Sequence, residues 1–358
     1  QEERFSRKKH DSSFPKNSIK FCLESQKIKI SEIEIIIYYE KPLLTFERLL
    51  ETYLGSAPRG IRSFISAMQV WLKEKLFIKS TLIKKFKSIQ KEFSSSGDSL
   101  IPKLLFSEHH YSHAAAAFYP SPFENSAILC MDGVGEWATT SAWIGKGNDI
   151  KPLWEINFPH SIGLLYSAFT YYCGFKVNSG EYKLMGLAPY GNPIYVQKIK
   201  ENLIDIKSDG TFRLDISYFK FHRGFRMISN KFETLFGAKA RKPEKELTQF
   251  HMDLAASIQS VTEEIVIKLA KSIKEETGLN NLCISGGVAL NCVANGKLLK
   301  SKIFDNIWIQ PASGDAGSSI GAAQLCWYEY LGNNRKIDHN DSMKGTYLGN
   351  FYTNDEII

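Results

Sequence analysis

The chain has 358 residues, 43% hydrophobic and 13% aromatic, which suits two domains or one large two-lobed unit and excludes a disordered chain. Its formal charge of +7 is mild for this length and suits anionic small molecules such as phosphates without pointing to nucleic acid. No apolar run reaches the ~18–20 residues that span a bilayer, and no signal peptide is evident.

The first ~100 residues read as mostly helical and basic. "FPKNSIKFCLESQKI" has helical apolar spacing with Pro15 near its start, and "IEIIIYY" reads as a buried strand from its β-branched run. Gly60 to Phe93 predicts one or two amphipathic helices carrying Lys73, Lys75, Lys79, Lys84, Lys85, Lys87 and Lys91. A solvated polar face is the preferred reading of these lysines over contact with a membrane or an acidic partner. "SSSGDS" (Ser94–Ser99) reads as a loop, and "KLLFSEHH" as a short strand entering a helix.

That helix opens with "SEHHYSHAAAAF", three histidines within five residues followed by four alanines. His109 and His113 are i and i+4, His110 and His113 are i and i+3, so either pair shares a face and could hold one metal ion. A zinc-protease arrangement fails, because Glu108 precedes the pair instead of lying between its members. Solvated or capping roles remain the alternative.

From Ser126, "SAILCMDGVGEWATTSAWIGKGNDIKPLWEINFP" predicts an antiparallel meander with glycine turns. The helical "SIGLLYSAFTYYCGF", a Gly-rich segment "NSGEYKLMGLAPYGNP" and an irregular insertion over 195–250 follow. A long helix is expected from Met252 to Glu276. Two strand–glycine turn–helix units, "NLCISGGVALN" and "NIWIQPASGDAGSSIGAAQLCWYEY", come last. Cys22, Cys130, Cys173, Cys283, Cys292 and Cys326 are scattered in apolar runs without a Cys-x-x-Cys pair, so they are expected to be reduced core residues of a cytoplasmic protein.

Three turns carry chemistry. Asp132 ends a strand beside Gly133 and Gly135, a phosphate–metal arrangement or an ordinary hairpin turn. Gly286 and Gly287 stand between a strand and a helix N-terminus, where backbone N–H groups favour an anionic or nucleotide ligand and where close strand–helix packing also demands glycine. Asp315 lies between Gly314 and Gly317 at a similar junction, where an N-capping role is the simpler reading. Two imidazoles and two turn carboxylates together suit Fe(II), Zn(II) or Mn(II).

The stretches "EERFSRKKHDSSFP", "EHHYSHAAAAF", "MDGVGEW", "FPHSIGLLYSAFT", "SGEYKLMGLAPYG", "SGGVALNC" and "SGDAGSSIGAA" resemble, in order, the nodulation-factor and antibiotic O-carbamoyltransferases. The amino-terminal domain of that family is similar to the tRNA threonylcarbamoyl transferases. The resemblance implies an α/β, two-lobed actin/sugar-kinase fold, with a first lobe over 1–125, a second over 126–330 and a linker over 331–358. It places a metal, Fe(II) first, on His109, His113, Asp132 and Asp315, with His109, Asp132 and Asp315 serving the chemistry. Gly286, Gly287 and Asn291 match the adenosine-binding part, Gly133 lies beside the phosphates, and Glu181 falls where related enzymes contact the ribose.

The implied reaction passes a carbamoyl group from carbamoyl-adenylate, made from carbamoyl phosphate and ATP, to a hydroxyl of a sugar or antibiotic-like acceptor. The alternatives are an actin-fold ATP-dependent kinase or ATPase, a tRNA threonylcarbamoyl transferase, or a non-catalytic nucleotide-binding fragment. Neither nucleic acid nor membrane is an expected partner, and a homodimer is compatible with the pattern. Family members begin with a strand and histidine-bearing loop upstream of "EERFSR" and continue into an adenylate-forming domain, so segments are expected on both sides of this chain. His160 is a candidate base with a structural role preferred.

Overall fold

The computed structural model describes residues 2–8, 11, 13–93, 102–338, 341–349 and 351–358, without the side chains of 70, 73, 74 and 93. The loop expected at Ser94–Ser99 lies outside the described residues. The fold is mixed α/β. Its strands are β1 (Ile35–Tyr38), β2 (Lys103–Phe106), β3 (Asn125–Met131), β4 (Ala138–Lys146), β5 (Asp149–Asn157), β6 (Ile204–Ile206), β7 (Phe212–Leu214), β8 (Asn281–Ser285) and β9 (Asn306–Ile309).

The central sheet has the order β5-β4-β3-β8-β9. The expected meander forms its antiparallel half, with Met131 opposite Thr140 and Ala138 opposite Asn157. The two strand–turn–helix units form its parallel half, with Ala127 opposite Leu282 and Leu282 opposite Ile307.

Alternation along β3 sorts two cores onto the two faces of this sheet. Ala127, Leu129 and Met131 face the main core, which is built with Ile162–Tyr172 and the long helix Gln249–Thr277. Ile128 and Cys130 face a second core with Ala114, Ala115, Ala117 and Phe118 of the histidine helix His109–Phe118. The four consecutive alanines Ala114–Ala117 are fully buried. They admit a close helix–helix crossing, because a Cβ on Gly321 of the helix Asp315–Leu325 would lie 1.9 Å from the Ser112 carbonyl oxygen.

Residues 195–250 are more ordered than the irregular insertion expected. They hold the β6–β7 hairpin and short helices, and Phe212, Leu214, Phe219 and Phe232 are buried in the main core. Aromatic burial, invisible as a period in such short elements, is what orders them.

The amino-terminal helices Lys16–Gln26, Pro42–Leu54, Ile61–Glu74 and Ile78–Phe93 accompany the parallel pair β1–β2. Ile30, Leu82, Phe86 and Ile89 form a small core there. Lys79, Lys84, Lys85, Lys87 and Lys91 are exposed, while Lys75 is half-buried and paired with Glu40. Cys22 and Cys292 are exposed, which corrects their assignment to the core; the other four cysteines are buried. No described helix is long and apolar enough to cross a membrane.

Arg335 closes the far end of the histidine helix. Its guanidinium donates to the carbonyls of Phe118 at 2.8 Å, Tyr119 at 3.2 Å, Ser121 at 2.8 Å and Phe123 at 2.9 Å. A cation thus meets the negative end of the helix dipole and satisfies carbonyls left without helical partners.

Candidate metal centre

The sheet brings two strand ends and two helix starts to one place. Asp132 follows β3, Gly286 follows β8, His109 begins the histidine helix and Asp315 begins the last long helix. Ligand sites gather at such carboxyl ends of strands because loops and helix termini converge there.

One donor atom from each of His109, His113, Asp132 and Asp315 lies within 4.8 Å of all the others. His109 Nε2 is 3.0 Å from Asp132 Oδ2 and 3.5 Å from Asp315 Oδ1. His113 Nε2 is 3.5 Å from Asp132 Oδ2 and 3.6 Å from Asp315 Oδ1. The two imidazole nitrogens face each other at 3.1 Å. Ligands ~2.1 Å from a single ion sit about 3.0–3.4 Å apart. Mixed nitrogen and carboxylate donors at these separations fit a borderline divalent metal.

The surroundings reinforce that fit. His113 is fully buried, and its Nδ1 contacts the hydroxyls of Ser285 and Ser318, each at 3.3 Å. Those contacts hold the ring in the orientation that aims Nε2 at the other donors. Asp132 Oδ1 accepts the Gly287 N–H at 3.0 Å, which leaves Oδ2 toward the imidazoles. Asp315 is the open side, its side chain 58% exposed.

Electrostatics follow from burial and these pairs. Burial opposes charge on His113, yet Asp132 and Asp315 outweigh it and raise its pKa to about 9. Burial also opposes ionisation of Asp132, and His109 and His113 overcome it, holding the carboxyl well below its usual range. His110 is different: burial and the neighbouring imidazoles pull it to about 3, so it stays neutral, with Nδ1 2.7 Å from Ser141 Oγ. It belongs to the support of the site and stands outside the donor cluster.

Several supporting residues were not singled out by sequence reasoning. Glu136 receives the backbone N–H of His109 at 3.0 Å and that of Lys41 at 2.8 Å, joining the first helices to the histidine helix. Arg48 donates to the Gly135 carbonyl. Ser161 caps Ile162–Tyr172 and donates to the Gly133 carbonyl at 2.7 Å, anchoring the Asp132 turn. Ser318 carried a readable signal, since it lies one helical turn beyond Asp315.

The glycine turns divide into two kinds. Gly286 adopts φ +92°, and a Cβ there would lie 2.1 Å from the Met131 carbonyl oxygen, so strand packing requires glycine. A Cβ on Gly133 meets nothing within 4 Å, so that glycine faces open space beside Asp132.

Glu181 and Asn291 have intrachain roles. Glu181 accepts from Asn178 N at 2.9 Å and Ser167 Oγ at 2.8 Å. Asn291 caps the helix Cys292–Ser301 through Ala294 N at 3.0 Å and donates to Gln259 Oε1 at 2.9 Å. His160 Nδ1 accepts from Leu214 N at 3.1 Å, which supports the structural reading of that residue.

The sequence matches the family described as carbamoyltransferase N-terminus over residues 1–324. An uncharacterized protein of Synechocystis sp. is 61% identical over 357 residues, covering all of this chain and 57% of that protein. Nodulation protein NolNO of Sinorhizobium fredii is 36% identical over 326 residues, 91% of this chain and 43% of that protein. Nodulation protein NolO of Bradyrhizobium diazoefficiens is 36% identical over 219 residues, 61% of this chain and 37% of that protein. The chain thus spans about half the length of the curated relatives it matches.

Among solved structures, T. kodakarensis HypF is similar at a TM-score of 0.33 and 16% identity, covering 69% of this chain and 39% of that one. Matched over residues 1–324, this chain belongs to the carbamoyltransferase amino-terminal family.

Proposed function

We propose that this chain is the transfer half of a metal-dependent O-carbamoyltransferase, with a two-lobed actin/sugar-kinase architecture divided near residue 125 and residues 331–358 as a linker. The observation that carries the metal reading is the four-donor cluster, with His113 oriented from behind by two serine hydroxyls. Fe(II) is the first candidate, with Zn(II) and Mn(II) next. When bound, such an ion polarises a carbonyl oxygen as a Lewis acid.

The donor is carbamoyl-adenylate, formed from carbamoyl phosphate and ATP, and the acceptor is a hydroxyl of a sugar or antibiotic-like molecule. The acceptor oxygen bonds to the carbamoyl carbon, and the bond from that carbon to the adenylate phosphate oxygen breaks. Its electron pair leaves on AMP, and the hydroxyl proton passes to a base. His109, His113, Asp132 and Asp315 hold the ion, and His109, Asp132 and Asp315 together with Gly133 frame the carbamoyl end. The Asp132–Gly133 and Gly286–Gly287 turns lie where the adenylate phosphate is to be held, Gly133 leaving room for its approach. Glu181 and Asn291 border the adenosine side. The proposed compartment is the cytoplasm, where thiols such as Cys22 and Cys292 stay reduced.

The test supplies synthetic carbamoyl-adenylate and hydroxyl acceptors to the purified chain and follows AMP release and acceptor carbamoylation. Transfer that needs the metal and is lost in His113→Ala supports the reading. Transfer that proceeds equally in metal-stripped protein sinks it.

A further inference from the structure

A second site of opposite character stands apart from the donor cluster. A cavity of about 570 Å³ is lined by Arg59, Gly60, Lys220, Arg223, Gly224, Phe225 and Arg226. Its volume falls in the ~300–1,000 Å³ range of small-molecule sites. Four lining side chains are cationic and none is acidic. Arg226 is paired with Glu233 at 2.8 Å, whereas Arg59, Lys220 and Arg223 have no ion-pair partner among the described residues.

Both walls are built turns. On one side, Arg59 N donates to the Ser56 carbonyl at 3.0 Å, and Gly60 turns the chain at φ +87° into the helix Ile61–Glu74. On the other, the loop is closed by the Phe219–Ile228 bridge and by Lys220 N donating to the Met227 carbonyl at 3.0 Å. The walls touch: a Cβ on Gly60 would lie 3.0 Å from Arg223 Cβ, so Gly60 permits the approach. Three cationic side chains without a carboxylate partner among the described residues thus line one cavity, a lining that suits an anion.

A relay of contacts links the metal centre to the loop that lines the cavity. Arg48 donates to the Gly135 carbonyl in the Asp132 turn, and its guanidinium lies 5.4 Å from the Phe158 ring. Phe158 in turn packs 6.2 Å from Phe221, the neighbour of Lys220. Phe225, 76% exposed at the rim, offers an aromatic face to the body of a ligand.

We propose that Arg59, Lys220 and Arg223 bind a phosphate or sulfate ester carried by the carbamoyl acceptor, so that the acceptor is an anionic, hydroxyl-bearing small molecule. This rests on the transferase reading for the word acceptor, while the anion site itself is tested by binding alone. Guanidinium forks match tetrahedral oxyanions in a bidentate manner, and Phe225 covers the sugar-like body.

The test titrates the full chain by calorimetry with glucose 6-phosphate, glucose 6-sulfate, inorganic phosphate and unesterified glucose. Both esters are expected to bind at least tenfold more tightly than inorganic phosphate, with no heat from glucose. Arg59→Ala and Arg223→Ala should each weaken the esters at least tenfold. Arg223→Ala keeps the Cβ that meets Gly60, and Arg59→Gln serves where Arg59→Ala lowers the melting temperature. His113→Ala should leave ester binding unchanged, which separates this site from phosphate held at the metal centre. Equal affinity for inorganic phosphate and the esters overturns the acceptor assignment. Ester binding that is absent, unaffected by both arginine variants, or lost with His113→Ala overturns the site.

Discussion

Both carboxylate oxygens of Glu136 receive the backbone N–H of His109 at 3.0 Å. A negative charge sits at the positive end of the histidine helix, and the same carboxylate holds Lys41 N, so it fixes the register in which His109 is presented. Glu136→Ala leaves buried N–H groups unpaired and should destabilise the protein by about 1–3 kcal/mol. Glu136→Gln, which keeps one acceptor oxygen, should recover part of that. Chemical denaturation reads the stability, and a metal titration of both variants should show weaker binding for alanine than for glutamine.

His113→Ala should abolish stoichiometric metal binding in elemental analysis while leaving the circular dichroism spectrum intact. Alanine is a good helix former, and four buried alanines immediately follow the site in the same helix. Retention of wild-type metal content would remove His113 from the ligand set.

Metal affinity should rise with pH up to about 9 and then level. Binding requires neutral imidazole, and the metal-free His113 holds its proton up to about 9 because the two carboxylates outweigh burial. Uptake at pH 7 should therefore release protons, measurable as a buffer-dependent heat. The stability of the metal-free protein carries the matching sign. The raised His113 contributes fully below its ordinary value of 6.5 and is lost as pH climbs through about 9. The lowered Asp132 contributes above its ordinary value of 3.8 and is lost as pH falls below it.

Two glycines should separate folding from binding. Gly286→Ala places a Cβ against the Met131 carbonyl in a left-handed conformation and should lower the melting temperature sharply. Gly133→Ala meets no neighbour within 4 Å and should melt like wild type, yet weaken ATP or adenylate binding severalfold if the ligand approaches there. A calorimetric titration with ATP alongside thermal melts distinguishes the two.

What the residues announced in advance was local. The i, i+4 spacing of His109 and His113 was legible because a helix fixes which side chains share a face. The meander and the two strand–turn–helix units were legible through their alternation and glycine turns. The insertion of β8 beside β3, which carries Gly287 N to Asp132 across 155 positions, was not, since register across such a span is set by packing and not by neighbours in sequence. The same holds for Glu136, whose partners lie 27 and 95 positions away. Cys22 and Cys292 misled because an apolar neighbourhood in sequence does not say which side of a helix faces water.

The crossing at Gly321 has a further consequence for how this centre tolerates variation. The residue offers no donor atom, yet it sets the separation between the helix that brings Asp315 and the one that brings both imidazoles. Any side chain there must push against Ser112 and Ala116 and pry the donors apart as a pair of rigid rods. In a saturation library, an aspartate-to-glutamate change at 315 can be absorbed by rotation of an exposed side chain, whereas Gly321 should accept nothing at all. The least replaceable position in the centre would then be one that never touches its ligand.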